Sequence, residues 1–354
     1  MTTTGLTMDP ELAEVAERVF AAATAEPAGT ESGDTFTRSW DLAAAAGLPW
    51  VSVPESAGGP GGTLLDAVTV AYAAGAQAAP LPVVETLLAG WLLAAAGLSV
   101  DQVPMSVAAR AASLPLDDGA ARGVVLSVPW GCEVALVTAI VAGPDGAPRL
   151  VTWRPLSGEV TGRSADLADQ PRADLRLDGA RATIQEISPG AQDAFLRRAA
   201  VLRAASMAGA MDAIMRLTNR YTADRVQFGK PLAAFQAVQQ HLVTIAQAAA
   251  VTRLNVARAA RAVDAAGGAF EAAAVKHLAN EHATLCIRAA YQAHGAIGLT
   301  REYPLNRFTR RLLVWRGEDG TDQTLTRQLA AAVAATGDLA ALVQGRHHTT
   351  TGAR

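Results

Sequence analysis

The amino-acid sequence predicts a multidomain α and β protein with an N-terminal all-α domain, a small β-barrel-like middle domain and a C-terminal four-helix bundle. Apolar residues recur with helical spacing over 191–219 and 232–266, and both segments are too long for strands. Between 103 and 187, short valine- and threonine-rich runs are separated by proline and glycine, as is typical of strands. The predicted domain bounds are 1–102, 103–188 and 189–345, followed by a tail at 346–354.

The N-terminal part carries helix signals and one glycine-rich turn. Asp9 is placed to cap a helix over 9–23, with Pro10 at its first position. The stretch from Gly58 to Gly62 lacks both the spacing and the lysine of phosphate-binding loops, so we interpret it as a structural turn. Further helices are predicted at 38–46, 64–79 and 83–96.

The middle and C-terminal parts differ in their local signals. Gly143-Pro144-Asp145-Gly146 predicts a hairpin within a domain of seven or eight strands. Paired glycines, Gly267-Gly268 and then Gly295 with Gly298, are expected to end two helices, because glycine adopts the left-handed conformation found beyond helix C-termini. The bundle helices are predicted at 191–221, 232–266, 270–293, 304–315 and 321–343, with a histidine-containing tail at 346–351.

Composition excludes several classes of protein. The 354 residues carry a formal net charge of −3, which argues against nucleic acid as a partner. Cys132 and Cys286 lie in different segments and predict neither a disulfide framework nor a metal site. The first thirty residues lack the pattern of a signal peptide, and the most apolar run, 87–99, is too short to span a membrane. We therefore expect a soluble cytoplasmic protein with no membrane partner.

The most distinctive stretch lies between the two longest predicted helices. Composition alone is typical of a solvated hinge, with Gly229 and Pro231 breaking the helix. The stretch reads Arg220-Tyr221-Thr222-Ala223-Asp224-Arg225-Val226-Gln227-Phe228-Gly229-Lys230-Pro231, followed by Phe235 and Gln236. Its order, Tyr-x-x-x-Arg-x-x-Phe-Gly-Lys-Pro-(x)4-Gln, resembles the signature corner of the acyl-CoA dehydrogenase family of flavoproteins. The resemblance implies the all-α, β and four-helix-bundle order of domains.

A second segment is similar to the Gln-x-x-Gly-Gly-x-Gly-(x)3-Glu-Tyr-Pro segment of the same family. It runs from Gln292 to Pro304, and Ala296 stands where the second glycine is usual. In the family, a neighbouring subunit's corner helps to hold the pyrophosphate and adenine of FAD. The resemblance therefore implies at least a dimer. It also implies cofactor-binding residues: Arg225 at the pyrophosphate, Phe228 at the adenine end, Gln236 in the corner, and Gln292 and Gly295 in the same cleft.

A third segment bears on catalysis. The family usually reads Arg-Asp-(x)7-Glu-Gly-Thr, and its glutamate is the catalytic base in most branches. Alignment from Arg310 places Asp319-Gly320-Thr321 at that position, with Glu318 immediately before it. Asp319 and Glu318 are therefore the candidate catalytic residues, and Thr321 and Gln323 are further candidates for FAD binding. Aspartate is one methylene shorter than glutamate, so Asp319 is a handicapped base, a base on an adjusted backbone or no base at all.

The resemblance implies FAD-dependent formation of an α,β double bond in an acyl-CoA thioester, with an electron-transfer flavoprotein-type acceptor. The family's Thr-Glu-(x)n-Gly-Ser-Asp loop is not found between 103 and 187, although Val128-Pro129-Trp130-Gly131 is similar to shortened versions. Some relatives are hetero-oligomers in which one subunit keeps the base and another keeps the flavin-holding corner, and this chain is similar to the second kind. The alternatives are a non-catalytic subunit that completes a homologous partner's flavin site, and a flavin oxidase or monooxygenase on the same fold.

Overall fold

The computed structural model describes residues 9–25, 32–108, 114–117, 120–178, 182–265 and 267–344. These residues form two compact units, with the division between Ala199 and Ala200. The first unit contains both the N-terminal helices and the β-strands. The tail predicted at 346–354 lies outside the described residues. The domain bounds drawn from the sequence stay a prediction.

The N-terminal helices match the predicted order. Asp9 caps the first helix, and its carboxylate accepts a hydrogen bond from the Glu11 amide at 2.9 Å. The glycine-rich stretch forms a turn, as predicted, because Gly61 donates its amide to the Val53 carbonyl at 2.8 Å. The helices are α1 (Pro10–Thr24), α2 (Ser32–Ala45), α3 (Leu64–Gln77) and α4 (Val83–Ala95).

Eight strands form two four-stranded sheets, and the described strands close no barrel. The predicted hairpin joins β4 to β5, and Gly146 takes the positive φ of 78° that the turn requires. The strands are β1 (Met105–Val107), β2 (Leu116–Asp117), β3 (Ala120–Pro129), β4 (Leu136–Ala142), β5 (Pro148–Trp153), β6 (Val160–Ala165), β7 (Pro171–Asp178) and β8 (Thr183–Glu186). Their orders are β1-β4-β5-β8 and β2-β3-β7-β6.

The C-terminal helices are longer at several ends than the sequence predicts. One prediction was wrong: the helix expected at 321–343 is two helices, because Gly337 adopts a φ of 65° and ends the first of them. The helix expected from 232 begins later, since Leu232–Ala234 form a 3₁₀ turn. The helices are α5 (Pro189–Asp224), α6 (Gln236–Asp264), α7 (Ala269–His294), α8 (Leu305–Trp315), α9 (Asp322–Thr336) and α10 (Leu339–Val343).

Packing within the bundle explains the alanine-rich composition. Residues 200–211 of α5 are buried without interruption, and six of these twelve residues are alanine or glycine, which lets neighbouring elements approach the helix closely. Helix α7 packs against α6, α8 and α9. The Thr252 hydroxyl on α6 lies 3.9 Å from the Met211 sulfur on α5. The bundle thereby places the end of α5, the end of α7 and the start of α9 at defined positions, and the candidate residues lie there.

Candidate functional site

The predicted helix-to-helix corner is a short β-hairpin that the sequence did not predict. Strand β9 (Val226–Gln227) pairs antiparallel with β10 (Lys230–Pro231). The two turn residues, Phe228 and Gly229, have φ values of 53° and 79°. Positive φ at both central positions defines the tight turn whose twist matches antiparallel strands. The hairpin therefore fixes the direction in which the side chain at its tip projects.

Two features of Phe228, which occupies that tip, are energetically unfavourable. Its exposed fraction is 90%, and positive φ is uncommon for a bulky residue other than glycine. Its ring and the Phe235 ring meet at an interplanar angle of 81°, with their centroids 6.2 Å apart. Exposure forgoes the free energy of burying a large aromatic surface, so folding of this chain alone does not explain the arrangement. Backbone outliers of this kind are found at functional sites.

Arg225 precedes the hairpin, and two hydrogen bonds fix its backbone. Its amide donates to the Tyr221 carbonyl and its carbonyl accepts from the Leu232 amide, both at 2.9 Å. The side chain is exposed, as is that of Gln236 at the start of α6. A guanidinium with a fixed backbone and an exposed head is suited to bind phosphate oxygens in pairs.

The second predicted segment follows the end of α7. His294 is the last residue of the helix, and Gly295 turns the chain with a φ of 64°. A side chain at Gly295 would meet no atom within 4 Å, so a ligand has room to approach this backbone. Gln292 lies one turn earlier, and its side chain is exposed. These are the features expected of a surface that binds a large planar ligand.

Aromatic rings connect this segment to the corner. Tyr221 of α5 stacks on His294 with ring centroids 4.5 Å apart, and its hydroxyl donates to the His294 carbonyl at 3.4 Å. Tyr303 packs on both rings, at 5.9 Å from Tyr221 and 5.1 Å from His294. Burial lowers the pKa of His294 from its usual value. The three rings join the two segments that the sequence selected independently.

The candidate acids lie elsewhere in the bundle unit, between α8 and α9. Asp319 has a φ of 52°, and Gly320 follows with a φ of 130°. Both acids face Arg203 of α5: the Arg203 Nε donates to Asp319 Oδ2 at 2.8 Å, and its Nη2 lies 3.4 Å from Glu318 Oε2. A carboxylate oxygen that already accepts a guanidinium N–H is less available to take a proton from a substrate. The catalytic assignment of Asp319 and Glu318 stays a prediction.

The two remaining candidates lie at the start of α9. Thr321 caps the helix, and its hydroxyl oxygen accepts the Thr324 amide at 3.3 Å. Gln323 is exposed in the first turn. Both residues follow the acid-bearing loop directly, so the position of that loop sets theirs.

Comparison with known proteins identifies the C-terminal domain. Residues 190–334 match the model of the acyl-CoA dehydrogenase C-terminal domain. The chain is 28% identical over 294 residues to the acyl-CoA dehydrogenase IpdE2 of Mycobacterium tuberculosis, which covers 81% of this chain and 85% of that protein. Residues 190–334 of this chain form an acyl-CoA dehydrogenase C-terminal domain.

Solved structures agree over the whole fold. A variant of the Tcur3481–Tcur3483 steroid ACAD has a TM-score of 0.81 and 25% identity, covering 92% of this chain and 98% of that one. The ChsE4–ChsE5 complex from Mycobacterium tuberculosis has a TM-score of 0.79, and its 20% identity shows the fold alone. That match covers 95% of this chain and 99% of its counterpart. The acyl-CoA dehydrogenase fold predicted from the sequence is confirmed.

Sequence analysis missed two residues that the structure places beside the candidate acids. Arg203 lies 116 positions before Asp319, so only the packing of α5 brings them together. Lys276 of α7 has no exposed surface, and its ammonium donates to the Gly320 carbonyl at 3.2 Å. Of the chain's 30 basic residues, Lys230 and Lys276 alone are lysines, and this scarcity was the one signal in the sequence.

Two further findings limit the chemistry of the described residues. They contain no group of three or more histidine, cysteine, aspartate or glutamate residues that could hold a metal ion. In the same part of the chain, no helix combines the length and the apolar character that crossing a membrane requires.

Replacing Arg203 by methionine is expected to lower the free energy of unfolding by about 2 kcal/mol, since Glu318 and Asp319 would lose their shared cation while remaining partly buried. Urea denaturation measures the loss. The matched control is Arg216→Met on the same helix, whose ion pair with Asp212 is more exposed and is worth ~0.3–0.5 kcal/mol. Equal losses in the two variants would contradict a special role for the Arg203 pair.

Proposed function

We propose that this chain is a subunit of an FAD-dependent acyl-CoA dehydrogenase that introduces an α,β double bond into an acyl-CoA thioester. The observation that carries the proposal is the exposed hairpin at 226–231. Phe228 lies at its tip, and the exposed side chain of Arg225 lies next to it. In an assembly, the cost of exposing Phe228 is offset if the ring contacts a cofactor or a second subunit. The family's use of this corner supports that reading.

The residues present fit FAD by their chemistry. Arg225 provides a guanidinium for the pyrophosphate, and Phe228 provides a ring face for the adenine end. Gly295 leaves its backbone open to close approach, while Gln292, Gln236 and Gln323 offer exposed amides. The Thr321 hydroxyl caps α9 and also lies 2.9 Å from the Thr324 hydroxyl, so a ligand at this exposed residue would share or replace the contact between the two hydroxyls. When bound, FAD supplies the acceptor for the hydride that leaves the substrate.

An oligomer with a homologous chain is the second part of the proposal. Helices α6 and α7 carry large apolar side chains that are exposed in the single chain: Val243, Val251, Leu254 and Leu285. Exposed large apolar side chains are typical of subunit contacts when they lie on one surface, and the spacing of Val243, Val251 and Leu254 puts these three on one face of α6. Two of the similar solved structures carry names that pair two gene products. We propose the same kind of assembly here, with an electron-transfer flavoprotein-type acceptor as the partner that reoxidises the flavin.

The ion pair with Arg203 favours a division of labour within that assembly. Asp319 and Glu318 each give one carboxylate oxygen to the same guanidinium, and this shared contact holds both side chains toward Arg203. A base must instead turn an oxygen to the carbon acid. We propose that the homologous partner supplies the base and that this chain holds the nucleotide end of FAD. The competing reading, in which Asp319 leaves Arg203 and acts as the base, makes a different prediction for substitution of Asp319.

The test of function is co-expression with a homologue that contains Glu-Gly-Thr. We expect little flavin on this chain purified alone, and a yellow complex from co-expression that reduces an artificial electron acceptor with an acyl-CoA. The flavin absorbance per subunit gives the stoichiometry. A complex that stays colourless with added FAD would overturn the proposal, and consumption of O2 in place of acceptor reduction would indicate an oxidase.

Substitution of the acids decides between the two sources of the base. In the complex, Asp319→Asn and Glu318→Gln are each expected to retain kcat, in contrast to the ~10²–10⁴-fold loss that follows removal of a general base. Asp193→Asn, which removes an exposed carboxylate elsewhere on α5, is the control. A loss of that size in Asp319→Asn alone would assign the base to this chain, whereas a loss in Glu318→Gln alone would move the assignment by one residue.

A further inference from the structure

Lys276 is a buried cation, and each N–H group of its ammonium donates a hydrogen bond. Its side chain has no exposed surface, and the ammonium donates three hydrogen bonds. The acceptors are Asn280 Oδ1 at 2.6 Å, the Trp315 carbonyl at 3.1 Å and the Gly320 carbonyl at 3.2 Å. An ammonium has three N–H groups, so the site satisfies it fully.

The two carbonyls lie at the two ends of one loop. Trp315 is the last residue of α8, and Gly320 lies just before α9, so the acid-bearing loop 316–319 runs between them. Asn280, one helical turn from Lys276, donates its amide to the Gly320 carbonyl at 3.3 Å and to Asp322 at 2.8 Å. Neighbouring side chains of α7 thus hold both ends of the loop to one helix.

The loop conformation needs such external support. Asp319 and Gly320 both have positive φ, and residues held in this way persist only where their surroundings fix them. Within the loop, the Glu318 amide donates to the Trp315 carbonyl at 3.3 Å, a longer bond than the one from Lys276. The Lys276 ammonium therefore joins the loop to the bundle at the place where the local backbone is weakest.

A lysine suits this site better than arginine or methionine does. Burying a charge costs free energy, so stability alone does not favour a cation here. The three acceptors surround a compact ammonium, whereas the planar guanidinium of arginine is larger and donates in a fixed fork. A methionine keeps the length of the side chain but has no donor.

We propose that Lys276 is a positioning residue, whose ammonium fixes the loop so that Glu318 and Asp319 meet Arg203. By fixing the same loop, Lys276 also sets where Thr321 and Gln323 are presented to the flavin. This second effect rests on the proposed function, whereas the positioning of the loop by Lys276 does not.

Hydrogen exchange of the full chain tests the placement. In Lys276→Met, amides of 316–321 are expected to exchange ~10-fold faster or more, while those of α6 keep their protection. The variant should fold, because the Trp315 and Gly320 carbonyls each retain a second donor. Lys276→Arg is expected not to restore the loop, and Lys230→Met, which removes the other lysine, is the matched control. Faster exchange throughout the bundle, or none in the loop, would overturn the placement.

Flavin content of the co-expressed complex tests the second step. Complexes that contain Lys276→Met are expected to lose flavin on dilution faster than the wild type, with the same subunit ratio. If the loop exchanges faster but the complex keeps its flavin as well as the wild type does, Lys276 does not act on flavin binding through Thr321 and Gln323. If the wild-type complex itself binds no flavin, the proposed function fails, whereas the exchange experiment still decides whether Lys276 positions the loop.

Discussion

Replacing Arg225 by alanine is expected to raise the Kd for FAD in the assembled complex by ~10²–10⁴-fold, because two hydrogen bonds to charged oxygens are lost and each is worth ~1.5–3 kcal/mol. The side chain is exposed, and the two hydrogen bonds that fix Arg225 at the hairpin are made by its backbone. The fold should therefore survive the substitution. Titration of flavin-depleted complex with FAD, followed by flavin fluorescence, gives the Kd.

Two variants separate charge from geometry in this experiment. Arg225→Lys keeps the positive charge but replaces the planar guanidinium fork with a compact ammonium. We therefore expect this variant to recover only part of the affinity for FAD. Arg216→Ala removes an exposed arginine of α5 two turns earlier and should leave the Kd unchanged. An Arg225→Ala complex that binds FAD as tightly as the wild type would show that the corner does not hold the pyrophosphate.

Raising the pH from 8 to 10.5 is expected to increase the free energy of unfolding by about 3 kcal/mol through Lys276 alone. Burial lowers the pKa of Lys276 from 10.5 to about 8 in the folded chain. Between these values the unfolded chain binds the additional proton, so stability rises with pH, and below pH 8 both states are charged and the contribution is constant.

The charges around Lys276 act in both directions. Asp319 and Glu318 in the loop and Asp322 on α9 raise its pKa, whereas Arg203 on α5 lowers it, and desolvation is the largest cause. Urea denaturation at a series of pH values, in the wild type and in Lys276→Met, isolates the effect because other titrating groups cancel in the difference. A difference between the two proteins that stays flat from pH 8 to 10.5 would show that Lys276 keeps its charge and its ordinary pKa in the folded chain.

Local sequence determined the elements and the choice of candidate residues. Helical periodicity and glycine stops located α5, α6 and α7 to within a few residues, because those signals act over one or two turns. The corner and the Gly295 segment were both selected before any packing was known. The break in the last helix was missed, since Gly337 in an alanine-rich pattern does not by itself indicate a helix end.

Tertiary structure decided what those residues contact. The sequence placed Asp319 where the family has its base, but only the packing of α5 brings Arg203 to it across 116 positions. A buried ammonium cannot be inferred from local pattern, because Lys276 stands on a helix where most lysines are solvated. The sequence alone therefore determined the fold, the order of elements and the choice of candidate residues for binding FAD. The pairing of Asp319 and Glu318 with Arg203 depended on contacts between distant segments of the chain. These ion pairs and hydrogen bonds form only when the bundle folds and excludes water from them.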